Sequence, residues 1–297
     1  MATLYTQQDN NVTRTWILMG VFLAIVVAIG YFLSYYYQSP AIMYVAIVFA
    51  LIMNITSYWY SDKIVTKLAG ATLAERAQYF DLYTTVENLS ITAGLPMPKV
   101  YVVQDPAPNA FATGRDKNHA VVCVTTGLLG MMTKTELEGV LAHELSHVGN
   151  RDILLSTVVV VLVGFISILA QMFTRNLFFG GRHDDRERSG GVGTVIMMLG
   201  IIFMILSPII ATLIQLSISR KREYLADASG ALLTRYPEGL ASALEKIGKY
   251  GQPMRKQSQA IAHLYISDPG GTLSKVARLF ATHPPIEERI KILREMK

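Results

Sequence analysis

Four stretches of the chain carry no Asp, Glu, Lys or Arg: residues 15–37, 41–60, 153–173 and 192–218. Each holds 20 or more residues. At about 1.5 Å rise per helical residue, each spans about 30 Å, the thickness of a bilayer's hydrocarbon core. The pattern predicts four transmembrane helices in two hairpins. The first run is long for a signal peptide and no small-x-small cleavage site follows it; Ser39-Pro40 ends it and the second run starts at once. The second pair also admits another reading, a hydrophobic hairpin buried in the catalytic part or lying shallowly in the membrane. Gly164, Gly200 and Pro208 within it are compatible with spanning helices, whose neighbours satisfy the backbone.

Aromatic residues fit the first hairpin. Trp16 at its start and Tyr58, Trp59 and Tyr60 at its end belong at one interface, with Tyr35, Tyr36, Tyr37 and Tyr44 towards the other. Cations give an orientation. Lys63, Lys67, Arg151, Arg220, Lys221 and Arg222 flank the runs on one side of a four-span arrangement, and the positive-inside rule makes that side the cytoplasm. The loop 174–191 runs against this rule, with Arg175, Arg182, Arg186 and Arg188 facing outward beside Asp184, Asp185 and Glu187.

The remaining segments, 61–152 and 219–297, are polar, and neither looks complete alone. The expectation is one catalytic domain built from both and split by the second hairpin, after an N-terminal hairpin over 1–60. Residues 73–93 have a helical apolar period that ends at Gly94. Lys99 to Val103 and Ala120 to Thr125 read as strands. A helix over His143 is expected to start at a capping box of Thr135 and Glu138. Gly149-Asn150 either stops it or lets it run on into the third apolar run. A last helix covers 286–296, after Pro284-Pro285. The whole is a membrane α-helical protein with an α+β catalytic domain, mainly helical with a small β-sheet.

Composition supports this without adding much. Hydrophobic residues are 51% and charged residues 16% of the chain, too apolar for a soluble domain alone. The net charge of +5 is accounted for by cations beside the membrane runs. No basic run is interleaved with aromatics, which argues against nucleic acid. The single Cys123 reads as a buried thiol, and no internal disulfide can form.

The chemistry lies in His143-Glu144-Leu145-Ser146-His147. Helical residues four apart share a face, so both imidazoles can meet one zinc ion while Glu144 sits beside it as general base. Hydrolytic zinc sites keep three protein ligands and a water. Glu223, 76 residues after His147 at the start of a helix, is the third ligand. Asp227, one turn further, is placed to accept the second ring proton of a ligand histidine.

These motifs, with Asn109 to Gly114, Ser219-Arg220 and Thr282-His283-Pro284-Pro285, resemble the HtpX family of bacterial membrane zinc peptidases, related to prenyl-protein endopeptidases and to thermolysin-like zincins. The resemblance covers nearly the whole chain. It implies that Asn109, Ala110, Phe111 and Ala112 form an edge-strand segment that receives extended substrate, and that His283 stabilises the oxyanion. It also implies a multi-pass protein of the bacterial cytoplasmic membrane whose catalytic domain faces the cytoplasm. Its activity would be ATP-independent cleavage of misfolded or damaged membrane proteins, alongside ATP-dependent membrane proteases. Two rivals are a processing peptidase for a few membrane or lipid-modified peptides, and a scaffold or transporter with a structural zinc site. Against the last, a structural metal has no use for Glu144 and calls for a fourth protein ligand.

Reporter fusions at residue 185 test the second hairpin. An extracytoplasmic signal is expected there, and a cytoplasmic one would overturn the two further spans.

Overall fold

The computed structural model describes residues 4–162, 164, 220–255, 261, 264–266 and 284–296. The fold is mostly helical with one small mixed sheet. Helix α1 (Leu4–Tyr36) and helix α2 (Pro40–Trp59) form the expected hairpin, and both are long and apolar enough to cross a membrane. Trp16 stacks on Tyr58 with centroids 5.7 Å apart, so the aromatic rings meet at one end as the sequence predicts. A Cβ on Gly30 would lie 2.3 Å from the Ala46 Cβ, so glycine lets the two helices close there. Buried Asn54 of α2 adds a cross-helix bond, its Nδ2 donating to the Met19 carbonyl at 3.2 Å.

Helix α3 (Ser61–Ala69) leads into strand β1 (Ala71–Leu73). The helical period expected from residue 73 begins instead at Phe80, as helix α4 (Phe80–Ala93), and stops at Gly94 as read. Leu73 belongs instead to β1, whose backbone pairs antiparallel with β2 (Lys99–Val103). Strands β3 (Ala110–Gly114) and β4 (Ala120–Thr125) complete the sheet in the order β1-β2-β4-β3. Strand β3 is therefore an edge strand, paired antiparallel with β4. Cys123 is buried in β4, beside Phe111 of β3.

After the short helix α5 (Thr126–Met131) comes the central helix α6 (Lys134–Gly149), which carries both motif histidines. Its buried stripe of Val140, Leu141, Leu145 and Val148 packs into the main core with Leu240 and Leu244 of helix α9 (Pro237–Tyr250). The chain then turns sharply. Asn150 caps α6, Arg151 takes a positive φ of 57°, and helix α7 (Asp152–Leu162) leaves at 85°. The helix thus stops at Gly149 rather than running on. Leu154, Leu155, Val158 and Val159 of α7 pack on Leu18, Met19 and Phe22 of α1, so α7 descends beside the first span. The rest of the third run and all of the fourth lie outside the described residues, as does the loop 174–191. Helix α8 (Arg220–Thr234) crosses α6 closely: a Cβ on Gly230 would lie 3.0 Å from the His143 backbone nitrogen. Helix α10 (Ile286–Glu295) follows Pro285 as expected and packs against α9.

The capping box is one pair earlier than Thr135 and Glu138. Thr133 Oγ1 accepts from the Glu136 backbone N–H at 3.4 Å, and Glu136 Oε2 accepts from the Thr133 N–H at 2.8 Å. Tertiary partners decide the choice, because Lys246 Nζ and Ser242 Oγ of α9 donate to the same carboxylate at 2.7 and 2.8 Å. Burial pushes the Glu136 carboxyl up, but the bonds from Lys246, Thr133 and Ser242 outweigh it and hold the pKa at about 2. The stabilisation is therefore present above the ordinary value of 4.5 and is lost as pH falls towards 2. Glu136→Gln should destabilise the detergent-solubilised protein by about 1–2 kcal/mol at neutral pH. In melting curves the gap should close on acidification; one that persists at low pH would count against the ion pair.

Candidate metal centre

Helix α6 places His143 and His147 one turn apart, with their Nε2 atoms 3.2 Å from each other. Helix α8 brings Glu223 to the same point, its carboxylate oxygens 3.8 Å from His143 Nε2 and 3.6 Å from His147 Nε2. Among the described residues, these three side chains form a cluster whose donor atoms all lie within 4.8 Å of one another. Glu144 is buried and lines the same cleft, together with Ala112 of the edge strand and Ile266.

Each histidine has its own carboxylate. Asp227 Oδ1 lies 2.9 Å from His143 Nδ1, and Asp152 Oδ2 lies 3.1 Å from His147 Nδ1. With both Nδ1–H groups donated outward, the two Nε2 lone pairs face each other, an arrangement that calls for a cation between them. At 3.2 Å apart, the two Nε2 atoms are close enough that both would hold one zinc ion.

Charge gives the same answer. Among the described residues, the four carboxylates of Glu144, Asp152, Glu223 and Asp227 are buried together with two guanidinium groups, Arg222 and Arg289. The excess of two negative charges is what one divalent ion cancels. Burial pulls the His147 pKa down, but the Asp152 hydrogen bond and the charges of Glu223, Asp152 and Glu144 raise it to about 9. The pocket thus favours positive charge at that ring, which a proton or, in its place, a metal ion can supply. Residues and charge both fit zinc.

The carboxylates are themselves held. Arg289 of α10 donates from Nε and Nη2 to Asp227 at 2.8 and 2.7 Å. Burial would raise the Asp227 pKa, but the Arg289 charge and the His143 bond hold it at about 2. Asp152 accepts from Asn11 Nδ2 of the first membrane helix at 2.6 Å, and Arg222 Nε lies 3.8 Å away. Asn11 also donates to the Asn150 carbonyl at 3.3 Å and accepts from Arg222 Nη1 at 3.4 Å.

Residues 76–297 match peptidase family M48. The chain belongs to that family. It is 48% identical over 297 residues to a "Protease HtpX homolog" of Caldanaerobacter subterraneus, covering 99% of this chain and 98% of that one. A homologue of the same name from Dictyoglomus turgidum is 42% identical over 295 residues, covering 99% and 95%. The crystal structure of S. mikatae Ste24p shares the fold, with a TM-score of 0.51 at 18% identity, over 98% of this chain and 66% of that one. This M48 protein is thus a metallopeptidase, and its two apolar helices fit a membrane setting.

Of the site residues expected from sequence, the M48 fold brings together His143, Glu144, His147, Glu223, Asp227 and Ala112. His283 lies outside the described residues. Asn109 and Phe111 sit in the edge-strand segment, but their backbones face inward: the Thr125 N–H donates to the Asn109 carbonyl at 2.9 Å, and alternation puts 111 on the same side. Ala110, Ala112 and Gly114 face the open side. There the Ile266 N–H donates to the Ala110 carbonyl at 3.0 Å and the Gly114 N–H donates to Thr157 Oγ1 at 3.3 Å, with Ala112 between them. Sequence reasoning missed Asp152, Arg289 and Asn11.

Removing a carboxylate that orients a ligand histidine typically weakens metal binding or activity about 10- to 100-fold. Asp152→Asn is expected to lower zinc affinity by about that range, measured by chelator competition on purified protein. Asn11→Leu, which keeps the volume but not the amide, should lower it less, and Asn54→Leu not at all. Equal losses for the two asparagines would mean that α1 acts on the site through packing alone.

Proposed function

We propose that the chain is a zinc-dependent endopeptidase of the bacterial cytoplasmic membrane, with its catalytic domain on the cytoplasmic face. Its substrates are misfolded or damaged membrane proteins, cut without ATP, in functional partnership with ATP-dependent membrane proteases. The observation that carries this reading is a three-donor cluster sharing one cleft with a buried glutamate and an edge strand, at the point where helices enter the apolar layer.

His143, His147 and Glu223 would hold the zinc, and Asp227 and Asp152 fix the ring tautomers. Zinc, when bound, polarises the peptide carbonyl and lowers the pKa of water from about 15.7 towards 7. Glu144 takes the proton of the attacking water and passes it to the departing amine. Its carboxylate suits both steps because it sits in a cleft shielded from bulk solvent. Extended substrate pairs with the outward backbone of the edge strand at Ala112, within the segment Asn109, Ala110, Phe111 and Ala112, and backbone pairing makes little demand on sequence. That suits damaged proteins better than a few dedicated peptides. His283, on the family resemblance, donates to the oxyanion. A purely structural metal is a poorer account, because the cluster has three donor side chains among the described residues and a glutamate beside them.

The test is Glu144→Gln, purified in detergent and assayed on casein and on an unfolded membrane protein. Zinc content should match the unsubstituted protein while turnover falls about a hundredfold or more. Cleavage at the normal rate, or cleavage indifferent to a chelator in the unsubstituted protein, would remove the assignment.

A further inference from the structure

Two separate parts of the structure measure how far the cleft lies from the bilayer. Trp16 of α1 and Trp59 of α2 are both more than half exposed, at the stacked Trp16–Tyr58 end of the hairpin. Exposed indole rings at the end of an apolar span mark the membrane–water boundary. Asn11, which holds Asp152 in the cleft wall, is five residues further out on α1, about 7.5 Å by helical rise. The second path is extended. Arg115 lies 4.4 Å over the Trp59 ring and donates Nη1 to the Trp59 carbonyl at 3.4 Å. Ala112, in the cleft, is three residues before Arg115, which follows the strand, so at most about 10 Å of extended chain separates them. A helix and an extended segment, joined to different tryptophans, each put the cleft within about 10 Å of chain from a boundary tryptophan. Helix α7 agrees in direction, since it starts at Asp152 and packs at once on the lipid-level residues Leu18 and Phe22.

We propose that this spacing makes the enzyme a ruler: it cuts polypeptides anchored by a membrane span, and does so at a set reach from the bilayer. The proposal rests on the peptidase reading above and adds a positional rule to it. A bond closer to the span than about three extended residues falls short of the cleft. Bonds further out reach it by looping, and the effective concentration of a tethered site falls roughly as the −3/2 power of tether length. The rate should therefore be near zero for the shortest tethers, peak just above the minimum reach, and drop about threefold for each doubling of length beyond the peak. Sequence around the bond matters little, because strand pairing at Ala112 reads backbone.

The experiment uses the purified full-length protein, with zinc, in proteoliposomes. One cleavage cassette is placed 1, 2, 4, 8, 16 or 32 residues from the end of a single model span, in an otherwise Gly/Ser tether, and products are mapped by mass spectrometry. The expected profile has no cut at one or two residues, a maximum at about 4–8, and the threefold decline beyond. Cutting at one residue as fast as at eight, or a flat profile, would overturn the ruler. The same cassette as a free soluble peptide separates the two readings: zinc-dependent cleavage there with a flat tethered profile removes the ruler alone, whereas no cleavage of either removes both. Arg115→Ala, which frees the strand from Trp59, should blur the short-tether cutoff while leaving the free-peptide rate unchanged. A cutoff as sharp as before would show that the strand path does not set it.

Discussion

Two imidazoles whose lone pairs face each other, ringed by more buried carboxylates than cations, form the constraint on which the rest of the structure depends. Such a group is unfavourable in a low-dielectric interior unless a cation joins it. The fold meets that demand with three crossing helices. Helix α6 supplies the rings, α8 supplies Glu223 and Asp227, and α10 supplies Arg289, whose fully buried guanidinium grips Asp227. The close crossing at Gly230 is what lets α8 deliver a carboxylate to rings that α6 carries.

The bend after Gly149 solves a second problem. A straight continuation of α6 would carry the chain away from the site. Turning by 85° at Arg151 instead places Asp152 against His147 and sends α7 down along α1. One residue thus starts a membrane-directed helix and orients a metal-binding ring. The carboxylate at that position interacts with Arg222 at the beginning of α8, so the entry of one apolar run and the exit of the other are tied together at the site.

What could be read from sequence, and what could not, follows from the range of the interactions. The histidine pair, the strands 99–103 and 120–125 and the Gly94 stop are governed by local periodicity, and they stand where expected. The cap at Thr133 was misplaced because two threonine–glutamate pairs overlap there, and the choice is made by Lys246, 110 residues away. Strand β1 went unread because three residues carry too little period, and only pairing with β2 reveals it. Asp152 carried a faint signal, an acid just after the motif helix, but its role requires the bend. Arg289 and Asn11 carried none, since each acts across more than 60 residues of sequence on a partner that periodicity cannot name.

Asn11 has one more implication, and it concerns the order of synthesis. The first helix leaves the ribosome long before the residues it serves. Until that helix is docked beside α7, Asp152 lacks its amide partner and the ring of His147 lacks a fixed carboxylate. A newborn chain that has not yet settled in the bilayer therefore carries every donor atom of the site but lacks one of the braces on Asp152. Seating the first helix beside α7 thus completes the bracing of Asp152.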